Sequence, residues 1–250
     1  MCVTEQSNWR ARRGWRWAVV GAVVLLLGVI ALVVALFLVP RDDDHRPEPT
    51  PAPSSSAATP SVPPAEAEVV DESVIERGWR PEPITEDPEV YVRAALEAAS
   101  TFDTQLSSRD EWLAWLSTWF TPPPYYDSAA ERDDAQRGFL SELRTHVVLP
   151  APEWESLQRE NGNVVAEVEG DVAFFDDPQF EQLGVYTGTA DVVLTHTRDA
   201  NADGSEQVSY QDRVRVSVQV QCGQPTEPAP GSAQRSGHCK VVRFFTEPLG

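Results

Sequence analysis

The sequence predicts an α+β domain, three helices packed on one face of a curved antiparallel sheet, carried on a single membrane-spanning helix. Three observations predict it. An uncharged apolar run covers Trp17–Val39. Two Ser-x-x-Glu capping boxes, Ser108/Glu111 and Ser128/Glu131, open apolar stretches of helical period. From Val147 onward the apolar period changes to two, the period of strands.

The 23 residues from Trp17 to Val39 carry no charge. As a helix they measure roughly 35 Å, enough to cross a hydrocarbon core of about 30 Å with some tilt. Arg10, Arg12, Arg13 and Arg16 precede the run, whereas Asp42, Asp43 and Asp44 follow it closely. That bias places residues 1–16 in the cytoplasm and the remainder outside the cell membrane, with Trp15, Trp17 and Phe37 as interfacial anchors. A cleavable signal peptide shares the basic flank. The run exceeds the usual apolar region of about 7–15 residues, however, and ends Leu38-Val39-Pro40-Arg41 without a small-x-small site, so it reads as an uncleaved signal anchor. Gly21, Gly28, Ala31 and Ala35 align on one face, either as a self-association seam or as ordinary spanning-helix composition.

Residues 40–65 form a Pro/Ser/Ala-rich linker with prolines at 47, 49, 51, 53, 60, 63 and 64. Too little apolar area is present to offset ordering, and proline stiffens the chain toward polyproline II, so the segment reads as a disordered stalk. Residues 66–86 are a lead-in. There Trp79 either packs onto the following domain or belongs to an element ordered by a partner.

The domain spans 87–250. Asp87-Pro88 starts a helix, and Val92, Leu96, Ala99, Phe102 and Leu106 continue it to Ser107. The second helix sets Trp112, Trp115, Leu116 and Trp119 at i, i+3, i+4 and i+7 and stops at Pro122-Pro123-Pro124. The third follows Ser128 to about Thr145 and buries Phe139, Leu140 and Leu143. Asn161-Gly162 between extended runs signals a hairpin, because both central residues of a type I′ turn need positive φ. Strands are expected over Val164–Glu169, Val185–Thr197, Val208–Cys222 and Cys239–Thr246. On the third of these Val214, Val216, Val218 and Val220 share an apolar face, and Ser217, Gln219 and Gln221 share a polar one.

The chain carries 20 basic and 39 acidic residues; beyond residue 40 these are 16 and 38, a net charge of −22. So acidic an exterior repels phosphate backbones, which argues against a nucleic-acid partner. Lys240 is the only lysine among 20 basic residues. The arginine, alanine, valine and proline usage points to a GC-rich genome. Cys2 falls in the cytoplasmic tail, whereas Cys222 and Cys239 lie outside, where disulfides persist, and flank a Gly/Pro/Ser-rich loop between the last two strands. They read as a structural disulfide.

This order of helix, Trp-rich helix, helix and long antiparallel strands resembles the cone-shaped nuclear-transport-factor-2-like fold, with Ala94–Phe120 the most suggestive stretch. Joined to a cytoplasmic tail, one span and a stalk, it resembles the bitopic scaffold subunits of conjugative type IV secretion systems, the TcpC-like proteins among them. It is also similar to the Mce-associated membrane proteins of actinobacteria. The resemblance implies a non-enzymatic, extracytoplasmic scaffold that docks with other envelope proteins or with copies of itself and needs no cofactor. It leaves open an Mce-type transport accessory, or an anchored ligand-binding or enzymatic cone domain of the cyclase or isomerase kind.

Candidate chemistry is sparse. Enzymes of the cone fold use an Asp/His pair inside the cone, and the domain histidines His146, His196 and His238 show no such spacing to a carboxylate. Asp212 interrupts the apolar face of its strand and reads either as a buried carboxylate, which needs a partner or an elevated pKa, or as a sheet-edge or pocket-mouth residue paired with an arginine. Asp199, Asn201 and Asp203 with Gly204 match the first half of a calcium loop, but position 12 is Tyr210 instead of the bidentate glutamate, so a polar hairpin loop is the favoured reading. Trp112, Trp115 and Trp119 fill the core or line a pocket or partner groove.

Overall fold

The computed structural model describes residues 68–201, 204–223 and 226–249. The apolar run Trp17–Val39 and the segments read from sequence as a cytoplasmic tail (1–16) and a disordered stalk (40–65) lie outside the described residues. Among the described residues no helix is long and apolar enough to cross a membrane.

Each capping residue identified from sequence caps a helix. Asp87 accepts from the N–H groups of Glu89 and Val90 at the start of α1 (Pro88–Ala98). Ser108/Glu111 and Ser128/Glu131 form reciprocal capping boxes on α2 (Arg109–Ser117) and α3 (Ala129–Glu142). A single π-type turn, Leu143–Val147, extends α3. Of the three side chains expected beneath α3, Leu143 is buried, while Phe139 and Leu140 are partly buried against the core.

Three local expectations are corrected. First, α1 ends at Ala98. Phe102 turns inward as part of β1 (Phe102–Asp103) and pairs with Val164, and Leu106 is 54% exposed. Second, Trp119 lies beyond the end of α2 yet is fully buried, and the chain from Phe120 bridges to Val241 before the prolines are reached. Third, the segment before Asn161-Gly162 is a fourth helix, α4 (Ala151–Arg159), which buries Trp154. Asn161, at φ 51°, ends α4 instead of turning a hairpin. Its N–H donates to Gln158 O and the Gly162 N–H to Leu157 O, the paired bonds of a Schellman stop. A Cβ at Gly162 would meet Leu157 Cδ1 at 2.2 Å, so a larger residue there displaces the Leu157 side chain.

The strands β2 (Asn163–Phe175), β3 (Val185–Asp199), β4 (Gln207–Gly223) and β5 (Gly237–Phe244) join β1 in one five-stranded sheet in sequence order, antiparallel throughout. The four-residue α5 (Pro178–Glu181) links β2 to β3. Helix α1 packs across the sheet where Gly188 leaves room: a Cβ there would come within 2.8 Å of Val92 Cγ1. Val164 and Ala166 alternate with exposed Val165 and Glu167 along β2, as period two predicts.

The second sheet face departs from expectation. Ser217, Gln219 and Gln221, read from sequence as a polar outer face, are buried. The C-terminal tail bonds to Ser217 and the Tyr125 loop to Gln219. Ser217 Oγ accepts from the Leu249 N–H, the Phe245 N–H donates to Ser217 O, and the Tyr125 hydroxyl donates to Gln219 Oε1. Burial pushes the Tyr125 phenol up to about 12.

Only two residues of β2 pair with β1, and side chains from α1 and the turn after it occupy part of the remaining edge. Thr101 Oγ1 accepts from the Ala166 N–H, Glu97 Oε1 from the Val168 N–H, and Arg93 donates to Gly170 O. Filling edge groups in this way blunts strand addition. Past Gly170 the register shifts, and Phe174 and Phe175 stand exposed.

Candidate functional site

The sharpest chemistry among the described residues is a buried ionic centre where the lead-in meets β5. Residues 79–85 run beside the end of the sheet: the Cys239 N–H donates to Thr85 O, and the Trp79 indole N–H donates to Ser107 Oγ at 2.8 Å. This course carries Glu82 into the interior. Lys240, on β5 beside the disulfide, reaches the same point.

Lys240 Nζ lies 2.9 Å from Glu82 Oε1, with side-chain exposures of 1% and 2%. Its three N–H bonds go to Glu82 Oε1, Thr118 O at 2.7 Å and Gln234 Oε1 at 3.3 Å. Glu82 Oε1 also accepts from the Tyr91 hydroxyl at 2.5 Å and from Gln234 Nε2 at 2.9 Å. Glu82 Oε2, equally buried, has no hydrogen-bond partner. Burial lowers the Lys240 ammonium from its ordinary value, and the Glu82 charge opposes that shift. Burial, reinforced by the Glu82 carboxylate, holds the Tyr91 phenol well above its ordinary value.

A surface cavity of about 350 Å³ opens over this centre, lined by Asp71, Glu82, Trp115, Thr118, Pro230 and Ser232. The Pro230 side belongs to the loop closed by the Cys222–Cys239 disulfide, which the structure forms as expected. Gln234 organises that loop by accepting from the Ala229 N–H while bonding Glu82.

The aromatic residues divide between core and cavity. Trp112 stacks on Trp154 at a centroid distance of 5.6 Å and meets Phe102 at a tilt at 5.1 Å, and Trp119 packs on Tyr91 at 5.8 Å, all inside the core. Trp115 is partly buried. Trp79 stacks on it at 5.1 Å, Trp119 meets it edge-on at 5.5 Å, and it forms a wall of the cavity.

The structure brings together one His/carboxylate pair that sequence spacing did not reveal. His196 Nε2 lies 3.7 Å from Asp212 Oδ2, too far for a hydrogen bond, across the β3–β4 ladder. Asp212 is therefore neither buried nor paired with arginine: its side chain is 62% exposed. His196 stacks on Tyr210 at 4.7 Å and lines an open groove with Glu153, Glu160 and Arg198. Burial lowers the imidazole pKa more than Asp212 raises it.

Asp199 is the last residue of β3, paired with Gln207, and Asn201 lies in the β3–β4 hairpin loop. The Asp199 carboxylate accepts from Asn161 Nδ2 at 2.7 Å, and the Gly204 N–H donates to Asn201 O. Asp203 lies outside the described residues. Among the described residues no cluster of three or more His, Cys, Asp or Glu side chains has the arrangement of a metal site.

Sequence reasoning missed Glu82 and Gln234 and found no mechanistic meaning in Lys240. One signal was available: a lone lysine, in a chain otherwise using arginine, set between Cys239 and Val241 on an apolar strand. A lysine so placed needs a buried carboxylate.

No family model matches the chain, and no curated protein matches it. Among solved structures it is similar to an IcmL-like type IV secretion system protein from Legionella pneumophila, at 14% identity and a TM-score of 0.37, covering 65% of this chain and 91% of that one. It is also similar to CagV, a VirB8 homolog of the type IV secretion system from Helicobacter pylori, at 13% identity and a TM-score of 0.31, covering 58% of this chain and 85% of that one. Both come from the class of machine named by the sequence resemblance.

Proposed function

We propose that this chain is a membrane-anchored, non-enzymatic scaffold subunit of a cell-envelope machine, of the conjugative or type IV secretion kind, whose extracytoplasmic domain docks with other envelope proteins. The observation that carries the reading is the filled interior. Phe102, Trp112 and Trp154 pack ring against ring, Tyr91 packs on Trp119 in the same buried core, and these side chains leave no open ligand space among themselves.

The polar centre that does exist suits a structural clamp. Each N–H of Lys240 already has an acceptor, and the centre joins the lead-in, the disulfide loop and β5. Apolar side chains outside the core, Phe174, Phe175 and Leu183 among them, provide area for a partner. The apolar run Trp17–Val39, its arginine flank and the proline-rich stalk support the anchored topology.

The test is purification of the full chain from its native membrane in mild detergent, followed by mass spectrometry of what accompanies it. Recovery with other envelope or secretion-channel subunits is expected. Consistent recovery alone, or with a bound small molecule in the domain, overturns the reading.

A further inference from the structure

We propose that the cavity over the Glu82–Lys240 centre is a receptor for a basic side chain, an arginine presented by a protein partner. Three features of the cavity carry this. The Glu82 carboxylate is used on one side only: Oε1 accepts from Tyr91, Gln234 and Lys240, whereas Oε2, on a side chain 2% exposed, accepts from nothing. A buried acceptor left in that state costs free energy that an incoming N–H donor recovers.

Charge is the second feature. Asp71 adds a second carboxylate to the lining, so the site stays net negative after Lys240 is counted. Asp71 spends Oδ1 on the Ser73 N–H and hydroxyl at the start of a short 3₁₀ helix, Glu72–Arg77, which fixes the carboxylate in place. Lys240 does not compete for the new ligand, because its three N–H bonds point to Glu82 Oε1, Thr118 O and Gln234 Oε1.

The third is the wall. Trp115 is held by its stack on Trp79 and its edge contact with Trp119, and it presents a partly exposed indole to the cavity. A guanidinium satisfies an aromatic face and two carboxylates together, through cation–π attraction and forked N–H donors. The cavity volume of about 350 Å³ lies at the small end of ligand sites, suited to one long side chain. The acidity of the chain, −22 beyond residue 40, steers a basic partner toward it.

This inference deepens the docking reading above and rests on it for the identity of the ligand as part of a protein. Its test is independent of partner recovery. The full chain in non-ionic detergent micelles is titrated with Nα-acetyl-arginine amide by calorimetry, with the neutral isostere Nα-acetyl-citrulline amide in parallel. Saturable binding of the arginine probe, and none of the citrulline probe, is expected. Asp71→Asn, which keeps the capping oxygen, weakens binding about five-fold, the effect of removing one partly exposed charge. Trp115→Leu weakens it by a similar factor. Glu82→Gln abolishes it, provided that Lys240 remains protected from amine reagents, which shows that the centre has not opened. Equal binding of the two probes, arginine binding unchanged in both Asp71→Asn and Trp115→Leu, or no saturable binding of arginine at any soluble concentration overturns the proposal.

Discussion

Lys240 Nζ and Glu82 Oε1 lie 2.9 Å apart with both side chains withdrawn from water, and they are separated by 158 residues of chain. The pair closes the domain on itself, fastening the segment that enters it to the last strand.

Breaking that pair from one side leaves the other charge buried and uncompensated. Lys240→Met is expected to cost about 3–5 kcal/mol of folding stability, the range for such losses. The double variant Glu82→Gln/Lys240→Met recovers much of it, because Tyr91 and Gln234 still bond the amide. Urea denaturation of the three proteins checks this; equal losses in the single and double variants would contradict the clamp.

The disulfide closes the loop that carries Gln234 and Pro230. With 16 residues between Cys222 and Cys239, chain entropy alone assigns it about 3 kcal/mol. Cys222→Ala/Cys239→Ala is therefore expected to lower stability by about that amount. It also raises the reactivity of Lys240 toward amine reagents, since Gln234 loses its tether. Mass spectrometry of acetylated protein gives the second readout, and unchanged protection would separate the loop from the buried centre.

Gly162 stops α4 where an added methyl group displaces the Leu157 side chain. Gly162→Ala sets a Cβ within 2.2 Å of Leu157 Cδ1 and is expected to cost about 1–3 kcal/mol through forced repacking. Gly170→Ala, where a Cβ meets nothing but φ is +72°, serves as a control for backbone strain without crowding. Thermal unfolding distinguishes them, and a neutral Gly162→Ala would mean that Leu157 moves aside freely.

His196 is partly withdrawn from solvent, with Asp212, Tyr210, Glu153, Glu160 and Arg198 around it. Its pKa is lowered from 6.5, so as the pH falls the unfolded chain takes up the proton first. The stability that the neutral imidazole contributes is complete above the unfolded value and is lost as pH falls through the folded one. Asp212→Asn removes the charge that opposes the shift, so it lowers the folded pKa further. NMR titration of the imidazole checks both statements. A folded pKa above 6.5 would mean that Asp212 outweighs burial.

The capping boxes at Ser108 and Ser128 were legible because both partners sit within one turn, and the long strands were legible because period two survives over many residues. Asn161-Gly162 misled for a physical reason. Positive φ suits a type I′ hairpin and a helix stop equally well, and the deciding signal was the helical spacing of Trp154 and Leu157. Period two also told which residues of β4 share a face, but not that the C-terminal tail would cover Ser217 and the Tyr125 loop Gln219. The Glu82–Lys240 centre depends on contacts between distant segments, and no local pattern announces those. His196 and Asp212 meet only through the register of β3 on β4.

The most direct test of the proposed role is crosslinking of the domain, residues 87–250, in intact cells. Amine-reactive reagents suit it poorly, because the one lysine of the sequence is buried. A photoreactive amino acid at exposed Phe175, and a second at Ser232 on the cavity rim, avoid that obstacle. The account predicts crosslinks to other envelope subunits of a secretion or conjugation machine, with those from residue 232 falling beside a basic residue of the partner. A domain that crosslinks to no other envelope protein from either position contradicts the scaffold assignment.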